Sequence, residues 1–141
     1  MPATLLVLNG FVSLLIGFFC GRPLASAIKR NREEAVRAWR VAHSSLVSGG
    51  LMLLAIAGVW DHISLSIAMQ WIVASVLSLS LYAFSYALVV GAWQGYRGLG
   101  GERSLLGRSL YASNIAGAAL STVGLLAACA GALRAMLLGA G

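Results

Sequence analysis

His43 sits just inside a hydrophobic span, in the run Val36-Arg37-Ala38-Trp39-Arg40-Val41-Ala42-His43-Ser44-Ser45. A basic segment precedes it and the apolar run from Leu46 to Trp60 follows it. An ionisable side chain is costly in a bilayer, so one found there is a candidate functional group. The competing reading is that the ring only bridges two helices. Tyr82 and Tyr86 lie roughly 10–17 Å in from Trp93, at ~1.5 Å rise per residue. They are four apart and so share one helix face. Tyr111 and Asn114, three apart, stand near the same basic side of the last span, and Ser44, Ser48 and Ser85 add hydroxyls. Tyr82 is the deepest of the tyrosines and the least like an interfacial residue, which makes it the second candidate site residue. Asn114 is the third. Arg40 and Ser44 flank His43 and, with Tyr86, are the candidates for contact with a cofactor. The competing readings are an interfacial aromatic belt of Trp39, Trp93, Tyr96 and Tyr111, and helix-bridging roles for Tyr86 and Asn114.

The set contains no pair of carboxylates and no nucleophile–base–acid arrangement. No acidic residue falls inside any span, which argues against a small proton-coupled multidrug transporter. His43 and His62 are nineteen residues apart, or ~28 Å along one helix, so they cannot share a metal within one chain. A lone histidine suits axial ligation of a haem, which leaves the opposite face open. A ferric iron with an open position is a Lewis acid able to polarise an oxygen leaving group.

The elements that must hold these residues are helices in a membrane. The chain has 141 residues, 60% hydrophobic and only 10% charged, a ratio no soluble domain of this size needs. A spanning helix takes ~20 mostly apolar residues, and four such spans are read at about 5–21, 41–60, 63–93 and 110–133. The apolar runs do not alternate with polar residues, so these are helices and not strands of a barrel. The expected fold is an all-α bundle of four transmembrane helices in one domain. Little chain remains for anything else, so function must reside among the helices or at their ends.

Nine of the ten Lys and Arg fall between spans one and two (Arg22, Lys29, Arg30, Arg32, Arg37, Arg40) or between spans three and four (Arg97, Arg103, Arg108). That face is expected to be cytoplasmic, with both termini outside a plasma (inner) membrane. Asp61, His62 and Arg134 mark the other face. The net charge of +6 follows from topology and contact with anionic lipid, and gives no reason to expect nucleic acid. Ala25-Ser26-Ala27 resembles a signal-peptidase site, but the basic cluster follows the apolar run instead of preceding it, so span one is read as retained. Cys20 and Cys129 lie at opposite faces, too far apart for a disulfide.

Gly17-xxx-Gly21 and Gly91-xxx-Gly95 would let helix backbones approach closely. Pro23 is expected to break span one, and 29–40 to form a polar helix running into span two, with Glu33 and Glu34 pairing with Lys29, Arg30 and Arg37. Span three exceeds the bilayer thickness and should tilt or project. Residues 98–101 read as a flexible loop. Four helices leave little room for a buried site within one chain, so a site between protomers would be economical.

Trp39-Arg40-Val41-Ala42-His43-Ser44, ahead of an apolar span with Gly49-Gly50, resembles the corresponding stretch of bacterial styrene oxide isomerases. Leu81-Tyr82-Ala83-Phe84-Ser85 resembles their tyrosine-bearing third-span motif. The run from Gly58 to Ser66, Gly91-Ala92-Trp93-Gln94-Gly95 and the chain length look more like hydroxylaminobenzene mutases. The resemblance covers most of the chain. It implies a membrane homotrimer with ferric haem b between neighbouring protomers, His43 as the axial ligand and Tyr82 holding the substrate. The family's asparagine, one and a half turns after the histidine, falls at Gly49 here, and Asn114 is the residue left to fill that role. The activity implied is a redox-neutral rearrangement of a small hydrophobic aromatic. The first expectation is an N-hydroxylamine converted to an aminophenol; the alternative is an epoxide converted to a carbonyl. In either case Tyr82 would orient the substrate and donate a hydrogen bond to the developing oxyanion. Two other classes compete. A glutathione-dependent four-span transferase shares the Arg-rich approach to His43 but expects Asn and Glu in span two, and 46–50 supplies neither. A non-catalytic membrane subunit would use His43 and Tyr82 only to bridge helices.

Overall fold

A computed structural model describes residues 1–95 and 104–139. Four helices make up the described residues: α1 (Pro2–Lys29), α2 (Glu33–Gly58), α3 (Ile67–Gln94) and α4 (Leu105–Gly139). A short 3-10 turn, Trp60–His62, follows α2, and no strand occurs among the described residues. All four helices are long and apolar enough to cross a membrane, as expected.

The polar connections differ from the sequence expectation in two places. Pro23 lies inside α1 and does not end it. A proline removes one N–H from the helix ladder, yet α1 carries on six residues past it to Lys29. The reversal comes instead at Asn31, whose φ of 51° is a left-handed value that asparagine tolerates better than most residues. The polar helix therefore opens at Glu33 and not at Lys29, with Glu33 and Glu34 in its first turn, where a negative charge suits the helix dipole. Of the expected pairs, Glu33 to Arg37 is seen at 3.6 Å.

The second difference lies at 63–66. The expected third span begins at 63, but α3 opens at Ile67, capped by the Ser66 hydroxyl, which accepts from Met69 N. The preceding residues leave the helix, and Ser64 N donates to the Gly131 carbonyl at 3.1 Å. Gln70 ties this corner down, accepting from the Trp60 indole at 3.3 Å and donating to Leu65 O at 3.1 Å. At the other end α3 stops at Gly95, with φ 74°, a conformation that favours glycine. Tyr96, Arg97, Arg103 and the expected loop at 98–101 lie outside the described residues.

The helices pair as two hairpins. α1 packs mainly on α2, and α3 mainly on α4; α3 also contacts α1 and α2, while α4 barely touches the first hairpin. Gly117, Gly124 and Gly131 recur every seven residues along α4. A Cβ on them would lie 3.1 Å from the Phe84 ring, 2.6 Å from Leu77 and 2.7 Å from Ile63, respectively. Phe84 and Leu77, seven residues apart on α3, fill the spaces at Gly117 and Gly124 as knobs in holes, while Ile63 fills the one at Gly131 from the non-helical segment ahead of α3. Much of the outer surface stays apolar and exposed, including Leu8, Phe11, Leu15, Phe18 and Phe19 on α1, as a lipid or protein surrounding requires.

Candidate functional site

The His43 ring is part-buried on α2, and its Nδ1 lies 2.7 Å from the Gly17 carbonyl of α1. A carbonyl oxygen only accepts, so Nδ1 carries the proton and donates. In the neutral ring the free lone pair is then on Nε2. The contact depends on glycine. A Cβ on Gly17 would lie 2.8 Å from Val47 Cγ2, and one on Gly21 would sit 3.8 Å from the histidine ring. The small-xxx-small motif of α1 thus brings a backbone carbonyl within reach of an imidazole. One turn deeper, Ser13 Oγ donates to Leu46 O at 2.7 Å and ties the same two helices.

Arg40 is exposed, one turn from His43 toward the basic end. Ser44 is exposed too, and its hydroxyl donates to Arg40 O at 2.8 Å within its own helix. Trp39 and Trp93 meet edge to face, with ring centroids 6.3 Å apart, joining α2 to the end of α3.

Tyr82 belongs to a separate polar node. Its hydroxyl is hydrogen-bonded to Asn9 Oδ1 of α1. Asn9 is only 4% exposed, and its Nδ2 donates to Leu5 O at 2.8 Å and to Ser78 Oγ at 3.1 Å. The sequence reading did not single out Asn9. The available signal was an amide alone in the run Leu5-Leu6-Val7-Leu8-Asn9-Gly10-Phe11-Val12, where an unpartnered polar group would be costly.

Tyr82 and Tyr86 share the exposed face of α3, as their spacing implies, but lean opposite ways. Tyr86 reaches α4, where its hydroxyl lies 3.1 Å from Ser109 Oγ. Ser109 gives its own proton to Leu106 O at 2.8 Å, so Tyr86 is the donor. Asn114 is part-buried on α4 and is engaged by other groups. Because α4 packs on α3, Asn114 is carried on a helix with little contact to α2, where Gly49 stands.

Within one chain the two nodes do not meet. Asn9 and Gly17 are eight residues apart on α1, or ~12 Å along its axis, and Asn9 and Gly21 stand about 120° apart around it. His43 therefore lies on one flank of α1 and the Tyr82 hydroxyl on another. His62 lies in the 3-10 turn beyond the far end of α2. Cys20 is buried, Cys129 is exposed, and both are free thiols. No group of three or more His, Cys, Asp or Glu that could hold a metal ion occurs among the described residues.

A family model described as styrene oxide isomerase matches residues 2–137. No curated protein and no solved structure matches the chain.

Proposed function

We propose that this chain, which belongs to the styrene oxide isomerase family, is a redox-neutral membrane isomerase that converts a small aromatic N-hydroxylamine to an aminophenol, with ferric haem b held on His43. The observation that carries the reading is the Nδ1 to Gly17 carbonyl hydrogen bond. Such a bond fixes the tautomer and turns the other ring nitrogen outward as a ligand. A single histidine fits a haem, which can be held by one protein imidazole, better than a bare ion, which needs several ligands. Bound haem would supply a Lewis-acidic ferric centre able to polarise the substrate oxygen.

The chain's own residues supply the rest. Gly17 holds the imidazole in one orientation. Arg40 offers a guanidinium suited to a propionate carboxylate. Ser44 and Tyr86 have committed their protons to Arg40 O and Ser109, so toward a ligand they offer lone pairs. Tyr82 orients the substrate, and Asn114 is a further candidate contact. Apolar walls completed by a neighbouring protomer would exclude the water that could trap an aryl-stabilised cation.

Since His43 and Tyr82 occupy different flanks of α1, we place the site between protomers, His43 of one copy meeting Tyr82 of the next. A head-to-tail contact whose rotation closes builds a ring, and the ring we propose is a homotrimer. By the distribution of Lys and Arg we propose a plasma-membrane location with the basic helix ends cytoplasmic and both termini outside.

An epoxide-to-carbonyl isomerase is the second reading, and the description of the matching family favours it. Membership in an isomerase family argues against the glutathione transferase and the non-catalytic subunit. The test is the visible absorption spectrum of the detergent-purified protein beside His43→Ala. A Soret band lost or shifted in the variant is expected. A colourless protein that stays colourless after hemin addition would overturn the haem reading.

A further inference from the structure

We infer that Asn9 is a positioning residue that fixes the Tyr82 hydroxyl as a hydrogen-bond acceptor toward the substrate, so that the site favours substrates bearing an N–H or O–H over those offering only acceptor oxygens. The inference rests on the isomerase reading above and sharpens its choice of substrate.

The polarity of the node is set by groups that can act in only one way. The Leu5 carbonyl can only accept, so the Asn9 atom 2.8 Å from it is the nitrogen. The second hydrogen of that nitrogen goes to Ser78 Oγ. The amide orientation is thereby fixed, and the atom facing Tyr82 is the oxygen. An amide oxygen accepts only, so the phenol must donate. A phenol has one proton, and it is committed here. What Tyr82 can still offer is a pair of acceptor lone pairs.

Burial holds this arrangement in place. Asn9 is 4% exposed, so no water is at hand to replace the tyrosine proton on its oxygen. An unsatisfied amide oxygen in such surroundings is disfavoured. From its depth and chemistry Tyr82 is expected to donate to a developing oxyanion, but its proton is engaged by Asn9 Oδ1. The other candidate hydroxyls point the same way, since Ser44 and Tyr86 also have their protons engaged. An N-hydroxylamine brings an N–H and an O–H to meet such lone pairs. An epoxide oxygen brings none, and two acceptors face to face repel.

Two measurements test this on the full-length protein. Resonance Raman of the tyrosine doublet, taken as wild type minus Tyr82→Phe, reads whether the phenol donates. A donor signature is expected in the wild type, lost in Asn9→Leu and kept in Asn9→Asp, which retains an acceptor oxygen. The second readout is kcat/KM for phenylhydroxylamine against styrene oxide in haem-loaded protein. Asn9→Leu should narrow the preference for the hydroxylamine by roughly tenfold, the scale of one hydrogen bond, whereas a merely structural role would lower both substrates together. If Asn9→Leu does not fold, Tyr82→Phe carries the same comparison and should lose more activity toward the hydroxylamine. A Tyr82 with no donor signature, or a preference unmoved by the substitution, overturns the inference. A wild type that turns over neither substrate instead fails the isomerase reading, and the Raman result alone then decides the role of Asn9.

Discussion

The α1–α2 seam and the α3–α4 seam are both closed by glycines, but they admit different things. Between α1 and α2 the glycines bring backbone close to polar groups. Gly17 passes its carbonyl to the His43 ring. A Cβ on Gly50 would lie 2.8 Å from Gly10 O, and one on Gly10 would lie 3.0 Å from Gly50 O. Between α3 and α4 the glycines are sockets for Phe84, Leu77 and Ile63. Lipid removes most of the hydrophobic drive between helices, so both seams depend on close packing. The first seam uses its closeness to hold a polar side chain against backbone, and the second uses it to anchor a helix. Substitutions should therefore separate the two seams into a functional class and a stability class.

The largest expected effect is at His43. His43→Ala should abolish haem binding, read as loss of the Soret band, while size-exclusion behaviour stays that of the wild type. A variant that aggregates instead would place His43 among the groups that hold the fold. Next comes Gly124→Leu in the other seam. Leu77 already lies 2.6 Å from where a Cβ would stand, and forcing bulk into a packed interface costs about 1–3 kcal/mol or more. The expected outcome is a clear drop in thermal stability, with the spectrum of whatever remains folded unchanged.

A matched pair sharpens the contrast. Gly17→Ala and Gly131→Ala add the same methyl group at contacts of 2.8 and 2.7 Å. Both should lower stability. Only Gly17→Ala should also shift the Soret band and weaken haem affinity, by about tenfold, the low end for losing a group that orients a ligand. Equal spectra for the two variants would erase the distinction between the seams.

What could be read from the sequence follows the same division. Four spans, the place of His43 and the shared face of Tyr82 and Tyr86 all follow from runs and spacings. Helix faces do not: α3 and α4 are apolar on every side, so periodicity cannot separate a packed face from an outer one. The glycine heptad of α4 is hidden for that reason, because its meaning lies in the knobs at Ile63, Leu77 and Phe84. Asn9 stayed invisible because one amide has no period, and its role exists only once α1 meets α3. Pro23 reads as a helix end but is tolerated near a polar boundary, and a lone asparagine such as Asn31, although it accepts a left-handed turn, does not by itself mark one.

The smallest predicted effect lies where the two tyrosines part. Tyr82 is bound to a buried amide, whereas Tyr86 is bound to an exposed serine hydroxyl. Ser109→Ala removes the acceptor from Tyr86 but leaves a phenol that can turn to water or to a lipid headgroup. The loss should stay within about 0.5–1.5 kcal/mol, the net worth of an ordinary hydrogen bond, with thermal stability reduced by a few degrees at most. The substrate preference argued for Tyr82 should not move. A change in that preference from Ser109→Ala would mean that the exposed face of α3 acts as one unit, and that Tyr86 shares the work assigned here to Tyr82 alone.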